Sequence, residues 1–252
     1  MSDVLVLSYH AVSERWPAAL SVTPARLEEQ LGLLVERGYA GRTFTDAVHE
    51  RRSGRVLAVT FDDGYRSVLE HALPILSRLG LPGTVFVPTD FPGGGPMEWP
   101  GIDGWLGTEH EHELQPLSWD DLRGLQDAGW EVGSHACSHP YLSRLGDAEL
   151  ERELGESRRR LEIELGRPCR SLAYPYGDHD ARVVRAAAAM GYGAAGTVPR
   201  RLTAPAPLTW PRVGIYHGNG MLAFRAKVSP VGRRIRRTQV WGALDAAFTR
   251  FG

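Results

Sequence analysis

The chain has 252 residues, 42% of them hydrophobic and 23% charged, an ordinary composition for a globular protein and enough for one core in the size range of α/β barrels. A formal net charge of −1 excludes a global field that would recruit nucleic acid or acidic lipid. Two cysteines far apart in sequence, Cys137 and Cys169, exclude a disulfide framework and fit a reducing compartment.

The amino terminus has no charged leader, and Val4-Leu5-Val6-Leu7 is too short for a signal peptide or a membrane span, so the expected location is cytoplasmic. Asp3 to Tyr9 reads as a strand ending at His10. Thr23-Pro24 opens a helix, Thr as cap and Pro in the first turn, which runs to about Arg37 and stops at Gly38. The apolar run from Arg55 to Phe61 is a buried strand, followed by a helix from about Ser67 to Leu79 and a strand from Gly83 to Val87. Residues 89–117 are rich in Gly, Pro and Trp and carry almost no periodicity, which points to an insertion that shapes a cleft. Ser118 caps a helix that ends at Gly129, and residues 130–133 form a short strand. A long charged helix follows from Asp147 to Leu165, stopped by Gly166. Ser171 to Tyr174 is a strand, Asp180 to Met190 an Ala-rich helix, Tyr192 to Thr197 a strand, and Trp210 to Tyr216 the last one. This alternation predicts an α/β fold, a closed or incomplete (β/α) barrel of about seven parallel strands over residues 1–220. Residues 221–252 are expected to be a basic tail or an extra helix. Arg225, Lys227, Arg233, Arg234, Arg236 and Arg237 fall there with no acid between them, a solvated tail or else a contact for an anionic surface or a phosphate-bearing substrate.

Chemistry concentrates at three strand ends. Thr60-Phe61-Asp62-Asp63-Gly64 places two carboxylates side by side, which is tolerable in a buried position only beside a cation or a shared proton. Gly133-Ser134-His135-Ala136-Cys137-Ser138-His139 supplies two imidazoles four positions apart. Alone, the first motif is more often a solvated, capped turn and the second a chance pair among nine His. Together, both following strands of a parallel fold, they share the carboxyl-end face. One Asp with two His is a ligand set for a divalent metal with open positions, and the second Asp can then act as base on a water. Cys137, between the histidines, is either a soft ligand or a small buried filler. His10 ends the first strand on the same face and is a candidate general acid. In Tyr174-Pro175-Tyr176-Gly177 the backbone can pass close to a ligand, with N–H groups available to an oxyanion.

These motifs, in this order, resemble the polysaccharide deacetylase (NodB-homology) family, carbohydrate esterase family four, over roughly residues 3–216. The resemblance implies a distorted or incomplete (β/α) barrel and a metal-dependent hydrolase, usually with zinc, that removes acetyl groups from sugars. It implies Asp62 as catalytic base and Asp63, His135 and His139 as ligands of one divalent ion, Zn2+ or else Ni2+ or Co2+. Three positions depart from the family's pattern. Ala136 stands where Ser or Thr usually follows the first His, so a supporting hydrogen bond is missing or comes from elsewhere. Ala173 stands where the base-orienting Arg usually stands, and Arg212 is the candidate replacement. No convincing Leu-x-His closes the sequence, Ile215-Tyr216-His217 being a weak one. The Leu7-Ser8-Tyr9-His10 start instead resembles the circularly permuted subgroup, which makes His10 rather than His217 the general acid. Tyr176 then offers its backbone N–H to the oxyanion.

The expected function is removal of an N-acetyl group from an acetamido sugar in a glycan or glycoconjugate. The expected partner is a carbohydrate, with neither nucleic acid nor a membrane span. Trp99, Trp105, Trp119 and Tyr141 offer faces for sugar stacking, or pack as ordinary core. The competing readings are an amidase acting on a small non-sugar or cyclic amide, and a non-catalytic sugar-binding domain. The intact Asp62-Asp63 pair argues against the last, since binding needs no base.

Overall fold

The chain was analysed as a computed structural model that describes residues 3–49, 53–199 and 201–238. In chain order its elements are β1 (Asp3–Tyr9), the two-residue strands β2 (Ala11–Val12) and β3 (Ser21–Val22), α1 (Pro24–Glu36), β4 (Tyr39–Arg42), α2 (Phe44–His49) and β5 (Arg55–Phe61). There follow α3 (Leu73–Arg78), β6 (Gly83–Val87), α4 (Trp119–Asp127), β7 (Glu131–Ser134), α5 (Asp147–Leu165), β8 (Ser171–Ala173) and α6 (Ala181–Ala189). β9 (Ala194–Thr197), β10 (Trp210–Pro211), β11 (Val213–Gly214), α7 (Met221–Val228) and α8 (Pro230–Ile235) complete it.

The strands are parallel and hydrogen-bonded in the order β10-β9-β8-β7-β6-β5-β1-β11. The two ends of this path are halves of a single strand interrupted at Arg212. Trp210 and Pro211 pair with Gly196 and Thr197, whereas Val213 and Gly214 pair with Leu7 and Ser8. The sheet therefore closes through that break into a nearly complete, distorted barrel of seven strand positions. β4 is an accessory strand that pairs with the first half of β5, while β6 takes the second half of the same edge. Strand interiors are apolar on both faces, as expected where a parallel sheet is covered on one side by helices and filled on the other: all but the first two residues of β1 and all but the first of β5 are buried.

The helices form where the sequence signals them. Thr23 caps α1 by accepting a hydrogen bond from Arg26 N, and Leu27, Gln30, Leu31 and Leu34 give it one buried stripe. Ser118 and Asp121 make a reciprocal capping box on α4. α5 stops at Gly166 in the left-handed conformation, φ 65°. The predicted helix over 67–79 is instead a wide π-type turn, Val68–Ala72, followed by the short α3. Pro74, which has no N–H and crowds the preceding turn, lies just past this change of winding.

The barrel's amino-terminal end is closed by a polar floor. The Glu131 carboxylate, at the start of β7, accepts hydrogen bonds from Thr45 N (2.9 Å), the Thr45 hydroxyl, Thr84 Oγ1 (3.2 Å) and Ser171 Oγ (2.6 Å). These bonds tie α2 across the opening, with Phe44 edge-on to Phe86. The carboxyl-terminal end stays open and carries the candidate site residues. Of the predicted basic tail, residues up to 238 form α7 and α8; residues 239–252 lie outside the described residues.

Candidate metal centre

Asp62 and Asp63 leave the carboxyl end of β5, His135 the end of β7, and His10 the end of β1, while Arg212 sits at the break between β10 and β11. Parallel strands thus bring residues more than a hundred positions apart to one rim. Asp63, His135 and His139 are buried, and a ligand atom from each lies within 4.8 Å of the others. His135 Nε2 and His139 Nε2 stand 3.3 and 3.4 Å from Asp63 Oδ1. Bonds of about 2.0–2.1 Å at a tetrahedral angle separate neighbouring ligand atoms by roughly 3.3–3.4 Å, so the spacing suits one small divalent ion. The chemistry of the donors agrees. His135 Nδ1 lies 2.7 Å from the Ala173 carbonyl, which fixes the proton on that nitrogen and leaves the Nε2 lone pair for a ligand role. Burial holds His139 below the usual imidazole range, against the pull of Asp63, so its ring is neutral near neutral pH. Burial pushes the Asp63 carboxyl up, but the two imidazoles beside it outweigh this and hold it well below the usual range. Asp63 Oδ1 has no hydrogen-bond partner, the orphaned buried acceptor a cation would satisfy.

Asp62 is built differently. Arg212 Nη1 and Nη2 donate to Asp62 Oδ1 and Oδ2 at 2.6 and 2.8 Å, a two-pronged pair with both residues buried. Arg212 Nη1 also donates to Thr60 Oγ1 at 3.0 Å, and Ser8 Oγ to Asp62 Oδ2 at 3.3 Å. Burial alone would favour the protonated acid; the Arg212 guanidinium, with His135 and His10 nearby, outweighs it and holds Asp62 below the usual carboxylate range. Gly196 makes room for this arrangement, since a Cβ there would lie 2.6 Å from Arg212 Nε. The Arg212 expected to stand in at the Ala173 departure is therefore placed on Asp62. His10 Nε2 lies 4.0 Å from Asp62 Oδ2, and its ring stacks on Tyr216. Both line the cleft, whereas His217 is exposed and lies outside the cleft lining.

The cleft holds about 370 Å³. Asp62, Asp63, His135 and His139 form its base, and Trp99, Pro100, Gly101 and Ile102 of the 89–117 insertion form one wall. The aromatic residues are engaged with one another. Trp99, 5% exposed, stacks on His139 at 4.3 Å between ring centres. Tyr141 lies between Tyr176, parallel at 4.0 Å, and the Arg144 guanidinium at 4.1 Å. Trp105 packs edge-on against Trp16 and His110, and Trp119 lies under Arg160. Of the four aromatics read from the sequence as stacking faces, only Trp99 lines the cleft.

Four non-glycine residues among those described have positive φ: Asp63 (71°), Ala136 (63°), His139 (61°) and Tyr176 (58°). Two are ligand candidates, one sits between them and one lines the cleft, and such backbone persists only where its surroundings enforce it. For the histidine loop the enforcing residue is Glu153 of α5, which the sequence reading missed. It is 1% exposed, and its carboxylate accepts from Cys137 N (2.8 Å), Ser138 N (3.0 Å) and Ser138 Oγ (2.9 Å). This clamp stands in for the support that Ala136 cannot give, together with Ser134 Oγ, which accepts from Ala136 N. The only signal was an acid at a position of α5 where its neighbours, Leu150, Leu154 and Leu161, are core. Cys137 is not among the three grouped donors. Its thiol faces the carbonyls of Arg152 and Glu153, and burial pushes it up to about 11, as fits a packed filler.

Residues 49–195 match the model of the polysaccharide deacetylase family. Over 170 residues the chain is 25% identical to the poly-beta-1,6-N-acetyl-D-glucosamine N-deacetylase of Staphylococcus aureus, a stretch that covers 62% of this chain and 54% of that protein. A polysaccharide deacetylase from Bacillus cereus has a similar structure, with a TM-score of 0.70 at 26% identity over 90% of this chain and 69% of that one. A Streptococcus pyogenes deacetylase, solved with acetate, shares the fold with a TM-score of 0.74 at 20% identity over 90% of this chain and 98% of that one. The chain spans between 54% and 61% of the length of the curated relatives it matches first. It belongs to the polysaccharide deacetylase family.

Proposed function

We propose that this protein is a metal-dependent hydrolase that removes the N-acetyl group from an acetamido sugar of a glycan, with zinc at Asp63, His135 and His139. The observation that carries the reading is the division of labour between neighbouring carboxylates. Asp63 faces two imidazoles with an oxygen left unpaired, while Asp62 is locked as an anion by Arg212 with no histidine within ligand distance. A binding module has no use for an ionised, buried carboxylate beside an ion site, whereas hydrolysis needs one to accept a proton.

A divalent ion held by this triad supplies Lewis-acid polarisation of the acetamide carbonyl and makes a water more acidic. The protein's own groups do the rest. Asp62 accepts the proton of the attacking water, and the two-pronged Arg212 contact keeps its carboxylate oriented. The backbone N–H at Tyr176, in the left-handed turn after β8, is assigned to the developing oxyanion. His10, on the cleft wall 4.0 Å from Asp62, gives its proton to the departing nitrogen as the C–N bond breaks. Water's oxygen ends on the acetyl carbon, and the products are acetate and a free amine on the sugar. The relative from Staphylococcus aureus makes β-1,6-linked N-acetylglucosamine chains the first substrates to try.

The test is mass spectrometry of a panel of N-acetylated glycans, including β-1,6- and β-1,4-linked oligomers, incubated with zinc-loaded protein. Loss of one acetyl group with release of acetate is expected. Inertness toward every glycan, combined with opening of a small cyclic amide, would replace the sugar reading with the amidase one.

A further inference from the structure

We propose that α8 and the groove beside it form a docking surface for an anionic phospholipid bilayer. The surface lies at the closed, amino-terminal end of the barrel. The groove, about 320 Å³, is lined by Asp3 and Val4 at the start of β1, by Pro205 and Trp210, and by Arg233, Arg234 and Arg237. Its one acid is neutralised, since Arg233 Nη2 donates to Asp3 Oδ1 at 2.6 Å, and Tyr39 Oη donates to the other oxygen. From Met221 to Thr238 there are six basic residues and no acid. Arg234 and Arg237, one turn apart, are exposed beside the groove.

The apolar residues of this segment are distributed in an unusual way. Phe224 and Val228, one turn apart, are buried and fix α7 to the barrel. Val231 and Ile235, one turn apart on α8, instead face out, 68% and 46% exposed. Two of the five large hydrophobic side chains exposed among the described residues thus lie on one short helix, interleaved with arginines. A nucleic acid would be met by cations with exposed stacking aromatics, whereas the one aromatic lining the groove, Trp210, is half-buried and the exposed apolar side chains of α8 are aliphatic. Cations alternating with exposed aliphatics match an interface where headgroups carry negative charge and the acyl boundary takes Val and Ile. With a net charge of −1 the chain as a whole offers an anionic surface no attraction, so binding of this kind depends on a local basic face such as this one. The orientation has a consequence: docking by the amino-terminal end leaves the cleft, at the carboxyl ends of the strands, facing away from the membrane. The inference is independent of the proposed chemistry.

The experiment is co-sedimentation of the 252-residue protein with vesicles of phosphatidylcholine alone or with phosphatidylglycerol. Binding to the phosphatidylglycerol vesicles is expected at about 0.05 M salt, with release at about 0.5 M as the screening length shrinks. Arg234→Gln/Arg237→Gln should weaken it about 25-fold, on the basis of about fivefold per arginine. Val231→Ser/Ile235→Ser should also weaken it several-fold while the salt dependence remains. Both pairs replace exposed side chains, so thermal unfolding should be unchanged and loss of binding cannot come from misfolding. Absence of sedimentation, equal binding to neutral vesicles, or binding insensitive to both pairs would overturn the proposal. Concentration-dependent dimers abolished by Val231→Ser/Ile235→Ser would overturn it too, by showing that a second copy covers the face.

Discussion

Replacing Arg212 by Met tests whether the buried guanidinium is what keeps Asp62 charged. Met fills much of the volume with a flexible apolar chain, so the main loss is the two-pronged contact. With charge centres about 4 Å apart and an effective dielectric near 20, the lost attraction is about 4 kcal/mol, within the roughly 3–5 kcal/mol seen when one partner of a buried pair is removed. At about 2–4 °C per kcal/mol for a chain of this size, the metal-free protein should melt roughly 6–20 °C lower in a calorimetric scan at neutral pH. The sign of the pH effect follows from the same contact. In the native protein Asp62 is held below the usual carboxylate range, so its contribution to stability is present above that range and fades as pH falls through the folded-state value. Without Arg212, burial is the largest remaining influence and raises Asp62, so the acid limb of turnover against pH should move to higher pH. Arg212→Lys keeps the charge without the fork, and should fall between the two in both measurements. The double variant Asp62→Asn/Arg212→Met removes both charges and should recover part of the melting temperature. A melting point within a degree or two of the parent, together with an unmoved acid limb, would refute the reasoning and make Arg212 a mere strut between β9 and β1.

The other variants separate neighbouring roles. Asp63→Asn should lose zinc affinity in a chelator competition, whereas Asp62→Asn should keep zinc and lose turnover on the order of 10²-fold or more; an empty site in Asp62→Asn would mean the roles are shared. Glu153→Gln keeps the shape but replaces an acceptor oxygen with a donor against Cys137 N or Ser138, so zinc affinity should fall about 10–100-fold. Glu131→Gln, at the far end of the barrel, serves as the comparison: equal affinity losses in the two would show that Glu153 supports the fold generally rather than the loop. His10→Ala should lower turnover with metal content unchanged, measured by turnover and metal analysis on the same preparation, while His217→Ala should leave both as they are.

How much of this was legible in the sequence depends on how local its cause is. Strands β1, β5 and β6 end where their apolar runs end, and α1, α4 and α5 stop at Gly38, Gly129 and Gly166 or one residue or two before, because caps and stops act within a turn. β4 and α2 escaped because, at four and six residues, each is too short to show a repeated period; they form because Tyr39 to Arg42 finds a free half-edge on β5 and Phe44 a partner in Phe86. The last strand was legible as an apolar stretch, but the break at Arg212 was not, since it reflects closure between β9 and β1. The Asp-Asp and His-x-x-x-His motifs were readable because the chemistry needs particular residue types at fixed local spacing. Glu153 was not, because its partners are backbone N–H groups fifteen and sixteen positions away, and a backbone group leaves no mark on composition.

Strain at the rim links the fold to the chemistry. Positive φ at Asp63, Ala136, His139 and Tyr176 costs on the order of 1–3 kcal/mol per residue, a burden comparable to the whole stability of a domain. Propensity offers no reason for it, since glycine could have stood at Ala136 at once. At Asp63 and His139 it could not, because the side chain is the candidate ligand, and this backbone holds the carboxylate and imidazole 3.4 Å apart. The neighbours that hold the strained residues are buried and multiply bonded. Trp99 lies on one face of His139, Tyr176 meets it edge-on, and Glu153 ties the loop behind it to α5. This bracing holds the candidate ligand side chains in one arrangement. It also explains why the departures from the family's pattern are tolerated. The proposed chemistry depends on the positions of Asp62, Asp63, His135 and His139; Arg212 holds Asp62, and Glu153 the loop that carries His139, from other parts of the chain.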